Sequence, residues 1–174
     1  MDNLHIRKHN RLKNYDYSQN GIYFITVCTK NHHNLFGEII PAVVGANCVR
    51  PQLNEIGQIV KDEIAILSST YENISIDKYV VMPNHVHMIL VVMDDGRIKT
   101  HCGQIQSGRT QFAPTTVSRA IKQWKGIITK KIGFSPWQKS FHDHIICNEK
   151  DYCRIAEYIE NNPTRWIDDC YYKK

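Results

Sequence analysis

The longest apolar run in the chain, residues 79–92, carries His85 and His87 in its middle. Alternate side chains of a β-strand point to the same face, so these two histidines share one face of the stretch. The residues expected beside them are Val81, Ile89 and Val91, and those expected opposite are Val80, Met88, Leu90 and Val92. Both faces are largely apolar, which predicts a central strand that is covered on both sides of its sheet.

A buried pair of imidazoles must find polar partners, because burying an unpaired polar group costs free energy. One alternative is a core pair that hydrogen-bonds to its neighbours. The other is a metal ion, since neutral imidazole is a common metal ligand and two positions that share a strand face aim both rings at one point. A metal site needs a third ligand, which the rest of the chain has to supply.

The length of 174 residues, with 42% hydrophobic and 22% charged residues, is typical of a globular protein, and we expect a single domain over residues 1–174. No apolar run approaches the ~20 residues of a membrane helix, and the polar, basic start gives no signal peptide. The six cysteines have no C-x-x-C spacing, which argues against a cysteine zinc site. They predict free thiols in the reducing cytoplasm.

Basic residues concentrate in two blocks, although the net charge is only +5. The first block lies in an arm over residues 1–20 and contains Arg7, Lys8 and Arg11. The second lies on a predicted helix and contains Arg119, Lys122 and Lys125. Such blocks favour contact with phosphate backbones, and we interpret both as DNA-binding. The alternative is a basic face that is only solvated.

The remaining patterns predict the element order β-β-α-β-α-β-α. Strands rich in aromatic and β-branched residues are expected at 21–29, 35–40 and 141–147, in addition to the histidine stretch. Helices with apolar residues at helical spacing are expected at 53–69, 117–132 and 149–161. Residues 94–114 contain glycines and no period, which predicts a mobile loop. This order favours an α+β fold, an antiparallel sheet with helices packed on one side.

One flank of the last predicted helix carries Tyr158 and Asn162. At 100° per residue, Tyr158 falls about 110° from the centre of the apolar stripe. Asn162 is four residues further on and therefore lies beside it on the same flank. A tyrosine and an amide thus emerge together at the edge of a buried face. The alternative is a boundary tyrosine whose hydroxyl is simply in water.

Two motifs of the chain resemble those of a known enzyme family. The sequence Met-Pro-Asn-His-Val-His at 82–87 resembles the His-hydrophobe-His motif of the single-tyrosine HUH transposases, and 158–163 resembles their nucleophile helix. The chain is most similar to the REP-associated tyrosine transposases, relatives of small insertion-sequence transposases, over roughly residues 10–164. The resemblance implies a ferredoxin-like sheet that carries the histidines, with the tyrosine on a C-terminal helix.

The resemblance also implies a chemistry. His85, His87 and Asn162 would bind a divalent metal ion, Mg²⁺ or Mn²⁺, and Tyr158 would attack a phosphodiester of hairpin-forming single-stranded DNA. The implied partners are this DNA and, as an option, a second copy of the chain, but no membrane. Two imidazoles are unusual for Mg²⁺ and suit Zn²⁺- or Mn²⁺-like ions better.

Two other functions stay open from the residues alone. A zinc-dependent hydrolase would use His85 and His87 with water and would not need Tyr158. A catalytically inactive nucleic-acid-binding module on a ferredoxin-like sheet would present stacked aromatics in an RNP pattern, and the sequence contains no such pattern.

Overall fold

A computed structural model describes residues 19–40, 49–93 and 117–172. In chain order, these residues form β1 (Gly21–Cys28), β2 (Gly37–Ile39), β3 (Pro51–Leu53), α1 (Glu55–Thr70), β4 (Ile74–Val81), β5 (His85–Val92), α2 (Val117–Ile132), β6 (His142–Ile146) and α3 (Glu149–Asn161). The predicted arm up to residue 18 and the predicted loop at 94–114 lie outside the described residues.

The main sheet has four antiparallel strands in the order β4-β5-β1-β6. α1 lies between β1 and β4 in the chain, and α2 lies between β5 and β6. This is the β-α-β-β-α-β order of a ferredoxin-like fold, so the predicted fold class is confirmed. β2 and β3 pair in a separate two-stranded sheet, and β3 is an element that the sequence patterns do not predict.

The apolar histidine stretch forms parts of two strands rather than one. The chain reverses at Pro83 and Asn84, where the Met82 N–H donates to the His85 carbonyl at 2.8 Å. Proline fixes φ at about −65°, as the first central residue of a type I or II turn requires. The histidines therefore lie at the start of β5, immediately after a turn, and not in the middle of one long strand.

The turn changes which face two valines occupy. Val80 lies opposite His87 in the β4–β5 pairing and packs in the same apolar cluster as Ile89. Val81 belongs to the core on the other face. The predicted faces of Val80 and Val81 are therefore wrong, because alternation does not continue through the reversal. The predicted alternation holds within β5 itself.

The two faces of the sheet are covered by different helices. α1 and α2 pack on the face, here called the helix face, that carries Tyr23, Ile25, Val27, Val86, Met88 and Leu90. α3 packs on the opposite face, here called the histidine face, through Ile155, Ala156 and Ile159. The prediction that the helices pack on one side of the sheet is thus correct for α1 and α2 and wrong for α3. The reason is that β5 is apolar on both faces, so both need cover.

Side-chain caps fix the beginnings of two helices. The Asn54 side chain accepts a hydrogen bond from the Gly57 N–H at 2.9 Å and caps α1, as predicted. The Asn148 side chain accepts from the Asp151 N–H at 2.9 Å and caps α3. The predicted and observed bounds of both helices agree to within two residues.

Two general predictions can be compared with the described residues. The four cysteines among them are free, in agreement with the expected thiols: Cys28, Cys147, Cys153 and Cys170. No helix within the described part of the chain has the length and apolar character needed to cross a membrane.

Candidate functional site

His85 and His87 lie side by side on the histidine face, with ring centroids 4.4 Å apart. Both side chains are fully buried. Burial lowers the pKa of His85 to about 4 and holds the pKa of His87 well below its ordinary value. Both rings are therefore neutral near pH 7, which is the form that binds a metal ion.

The orientation of the His85 ring follows from its neighbour Asn84. The Asn84 amide nitrogen donates to the carbonyl oxygens of His32 at 3.1 Å and Tyr171 at 2.8 Å. The Asn84 amide oxygen is therefore left to accept, and it lies 2.8 Å from His85 Nδ1. Nδ1 of His85 carries the proton, so Nε2 keeps a lone pair that no hydrogen bond within the described residues uses.

His87 has a partner on each ring nitrogen. Its Nδ1 lies 2.8 Å from Oγ1 of Thr26 on the neighbouring strand β1. Its Nε2 lies 3.2 Å from the hydroxyl oxygen of Tyr158 on α3. The threonine hydroxyl can donate or accept, so it permits either tautomer of His87. Because the Tyr158 hydroxyl gives its one proton to Asp169, Nε2 of His87 donates to the Tyr158 oxygen in this state, and the tautomer has to change before Nε2 can bind a metal ion.

Tyr158 reaches the histidines because α3 is fixed on the sheet of the same chain. Besides its apolar contacts, the helix is tied to β4 by a hydrogen bond from the Tyr152 hydroxyl to Asp77 Oδ2 and by an ion pair between Lys78 and Glu160. Burial, followed by the charge of Asp169, raises the pKa of Tyr158. Its hydroxyl is thus protonated in this state and needs help to ionise.

Asn162 lies at the end of α3 and is almost completely buried, with 1% of its surface exposed. It lies beside His85, whose protonated form it favours. Its Oδ1 makes no hydrogen bond to any described residue. A carbonyl oxygen from Asn162 and a ring nitrogen from His85 are therefore two buried acceptors in one cluster.

Asp169 is a member of this cluster that the sequence patterns do not predict. Its Oδ2 accepts hydrogen bonds from the Tyr158 hydroxyl at 3.1 Å and from the Asn162 amide nitrogen. One ligand atom from each of His85, His87 and Asp169 can be chosen so that all three lie within 4.8 Å of one another.

The segment that carries Asp169 folds back over the histidines. Trp166 is buried, and its ring centroid lies 5.9 Å from that of His85. The Tyr171 ring centroid lies 4.7 Å from His85 and 5.8 Å from His87. A signal for this packing exists in the sequence, since the stretch 166–172 contains Trp166, Tyr171 and Tyr172 and is too aromatic to be fully solvated.

The donor atoms of the cluster fit a divalent cation. Neutral imidazoles, a carbonyl oxygen and a carboxylate form a mixed nitrogen and oxygen set that suits Mn²⁺-like ions. Bonds of about 2.1 Å are typical for Mg²⁺ and similar small ions. The ligand atoms of His85, His87 and Asp169 lie within 4.8 Å of one another, so small side-chain movements would let all three bind the same ion. His85, His87 and Asp169 could therefore hold a metal ion.

The predicted DNA-binding residues of α2 lie away from this cluster. Arg119 and Lys122 are exposed on α2, which covers the helix face. The Lys125 ammonium donates to the carbonyl oxygens of Gln138 at 2.7 Å and Ser140 at 3.3 Å, so it holds the loop before β6. The other three predicted contacts, Arg7, Lys8 and Arg11, lie outside the described residues.

No protein-family model matches the chain. The chain is 35% identical to an uncharacterized protein of Haemophilus influenzae over an alignment of 179 positions, and the alignment covers 97% of this chain and 94% of that protein. The chain belongs to the family of that protein.

The fold is also similar to that of a REP-associated tyrosine transposase whose structure was solved bound to a REP hairpin. The TM-score is 0.61 and the sequence identity 21%, over 90% of this chain and 74% of the transposase. The chain therefore has the fold of a REP-associated tyrosine transposase, which confirms at the level of the fold the resemblance seen in the two motifs.

Proposed function

We propose that the protein is a transposase-like enzyme that cleaves and rejoins single-stranded DNA through a covalent bond to Tyr158. The observation that carries the proposal is the 3.2 Å distance between the Tyr158 hydroxyl oxygen and Nε2 of His87. At this distance the nucleophile and the histidine motif form one site. Tyrosine is among the side chains that form covalent intermediates in catalysis.

In the proposed site, His85, His87 and Asn162 hold a divalent cation, Mg²⁺ or Mn²⁺. When bound, the cation polarises an oxygen of the scissile phosphate and orients the phosphate for in-line attack. Asn84 and Thr26 keep the two imidazole rings in place through their Nδ1 atoms. Such partners of ligand histidines fix the ring orientation.

The proposed reaction has two balanced steps. The Tyr158 oxygen bonds to phosphorus and loses its proton, and the 3′-oxygen of the preceding nucleotide leaves and takes up a proton. The product is a 5′-phosphotyrosine, which a free 3′-hydroxyl attacks in the reverse sense to rejoin DNA and release the tyrosine. A phenolate is a better leaving group than an alkoxide, because the pKa of a phenol is lower than that of an alcohol. The 3′-hydroxyl can therefore displace the tyrosine directly, and rejoining needs no ATP.

We infer hairpin-forming single-stranded DNA as the substrate. The REP hairpin on the structurally similar transposase supports this choice, as does the basic character of the chain. We further propose that Arg119 and Lys122, with the basic arm that contains Arg7, Lys8 and Arg11, contact phosphates. Such a reaction on DNA would take place in the cytoplasm. It does not require a homodimer, because Tyr158 and His87 meet within one chain.

A panel of single-stranded hairpin oligonucleotides with Mn²⁺ tests the proposal. We expect the wild-type protein to form a protein–DNA species that survives denaturing electrophoresis, and we expect Tyr158→Phe to form none. Tyr152→Phe is the matched control, since it also removes a tyrosine hydroxyl from α3. The Tyr152 hydroxyl donates to Asp77 and not to a residue of the histidine cluster. It should form the species at nearly the wild-type level, because the apolar contacts of α3 and the Lys78–Glu160 ion pair still hold the helix on the sheet.

Two results would contradict the proposal. If Tyr158→Phe forms the species and Tyr152→Phe does not, the nucleophile has been assigned to the wrong tyrosine. If DNA is cut by both variants without any covalent species, water is the nucleophile and the protein is a metal-dependent hydrolase.

A further inference from the structure

The carboxylate of Asp169 is held in one orientation by three donors. Its Oδ2 accepts hydrogen bonds from the Tyr158 hydroxyl at 3.1 Å and from the amide nitrogen of Asn162. Its Oδ1 accepts from the backbone N–H of Tyr171 at 2.7 Å. Two of these three donors, Tyr158 and Asn162, belong to the proposed catalytic helix and its C-terminal end.

The part of the chain that carries this carboxylate, residues 163–172 and here called the C-terminal segment, is anchored on both sides of it. Trp166 is 7% exposed and packs against His85. Beyond Asp169, the carbonyl oxygen of Tyr171 accepts a hydrogen bond from the side chain of Asn84 at 2.8 Å. Docking of the C-terminal segment therefore delivers Asp169 to the histidines.

The atoms that meet at this point are acceptors and need a positive or donating partner. His85 Nε2 and Asn162 Oδ1 are buried and have no hydrogen bond within the described residues. A ligand oxygen of Asp169 lies within 4.8 Å of the ligand nitrogens of both histidines. Buried polar atoms are normally paired, and a cation satisfies two lone pairs and a negative charge at once.

We propose that Asp169 is a further protein ligand of the cation, so that metal binding and docking of the C-terminal segment are coupled. This inference rests on the proposed metal site of His85, His87 and Asn162. A carboxylate added to two imidazoles and an amide oxygen makes the site better suited to an Mn²⁺-like ion than imidazoles alone. Because coupling between two binding events is reciprocal, the metal also stabilises the docked segment.

Titration calorimetry with Mn²⁺ and no DNA tests the inference without any measure of activity. Asp169→Asn keeps the shape of the side chain and an oxygen that can accept from Tyr158, but it removes the charge and puts an amide nitrogen where an oxygen accepts from the Tyr171 N–H. We expect it to weaken Mn²⁺ binding at least about tenfold, since even groups behind the ligands change affinity by about 10–100-fold. Asp168→Asn is the matched control, because the neighbouring Asp168 is exposed and loses the same charge. We expect it to bind as the wild type does.

Limited trypsin digestion gives a second measurement. Arg165 is exposed and directly precedes the buried Trp166, so cleavage there reports on undocking of the C-terminal segment. We expect Mn²⁺ to slow cleavage after Arg165 in the wild type and in Asp168→Asn. In Asp169→Asn, Mn²⁺ should give no such protection.

His85→Ala separates this inference from the proposed function. Mn²⁺ binding that is lost in His85→Ala but is unchanged in Asp169→Asn would overturn the role of Asp169 and leave the histidine site standing. Mn²⁺ binding that is the same in all three proteins would overturn both. Loss in His85→Ala together with a tenfold weakening in Asp169→Asn is the expected result.

Discussion

The two faces of the central sheet use the same strands for different purposes. On the helix face, β1 and β5 contribute side chains such as Tyr23, Ile25 and Met88 to an apolar core. On the histidine face, the alternate residues of the same strands include Thr26, His85 and His87, all buried and polar. Since side chains alternate along a strand, neighbouring residues can serve stability and chemistry separately.

The two faces also differ in what they contribute to the free energy of folding. Burial of apolar surface stabilises the helix face, at about 25 cal/mol per Å². On the histidine face, Nε2 of His85 and Oδ1 of Asn162 are buried without hydrogen bonds in the described part of the chain, which costs roughly 1–3 kcal/mol for each such group. Substitutions on the two faces should therefore affect different measurements.

The largest effect is expected from His87→Ala on the histidine face. Loss of a metal ligand removes several kcal/mol of transition-state stabilisation, so the rate of hairpin cleavage should fall by about a thousandfold or more. The variant should lose some stability, because the substitution leaves a cavity and removes the contacts of the ring with Thr26 and Tyr158, so cleavage is compared at a temperature at which both proteins are folded. Excess Mn²⁺ should restore part of the cleavage, and it should restore none in Tyr158→Phe. Wild-type cleavage rates in His87→Ala would show that the histidine face is not the reaction site.

The neighbouring substitution, Met88→Ala, should have the opposite result. Met88 is fully buried on the helix face, and loss of such a side chain typically costs 2–5 kcal/mol, about the whole margin of a weakly stable domain. We expect a large loss in the free energy of unfolding, measured in urea. Below its melting temperature, the variant should still cleave hairpins. If Met88→Ala is as stable as the wild type but does not cleave hairpins, stability and cleavage do not depend on different faces of the sheet.

The two helix caps offer a smaller and sharper comparison. Asn54→Ala and Asn148→Ala each remove the cap bond at a helix start, which should cost about 1 kcal/mol in the free energy of unfolding. Asn54→Ala also removes the hydrogen bond from its amide nitrogen to the Leu35 carbonyl. Only Asn148 caps the helix that carries Tyr158, so cleavage should slow in Asn148→Ala alone. An equal loss of cleavage in both variants would mean that stability, and not the position of α3, limits the rate.

The smallest effect concerns whether DNA reaches the helix face. If Arg119 and Lys122 each neutralise one phosphate, replacing both with Ala should reduce the log–log salt slope of single-strand binding by about 1.4. Lys125→Ala is the control, because its ammonium bonds to the Gln138 and Ser140 carbonyls, and it should leave the slope unchanged. An unaltered slope in the double variant would mean that this basic stripe is only solvated.

The sequence predicts local features of this fold better than the site as a whole. The caps and apolar stripes of α1 and α3 are local patterns, and both helices lie where those patterns put them. The turn at Pro83 and Asn84 has a local signal, since both are common turn residues, but the apolar residues on either side favour one continuous strand. Strand β3 escapes prediction because it has only three residues and begins with a proline.

Part of the candidate site escapes prediction for a different reason. His85, His87 and Tyr158 stand in recognisable spacings on regular elements. Asp169 follows the last helix in a stretch with no period, and only the tertiary packing of Trp166 and Tyr171 brings its carboxylate to the histidines. Because this contact depends on how the segment packs against the sheet, the spacing of residues in the sequence does not predict it.

The central claim is that the histidine face bonds covalently to DNA through Tyr158, although Tyr171 also contacts the histidines. Mass spectrometry of a trypsin-digested, nuclease-trimmed adduct tests this directly, since Tyr158 falls on a different peptide from the other tyrosines near the site. The peptide 155–165 contains Tyr158 as its only tyrosine, whereas 151–154 contains Tyr152 and 166–173 contains Tyr171 and Tyr172. We predict the nucleotide phosphate on 155–165. A phosphate on either of the other two peptides would contradict the account.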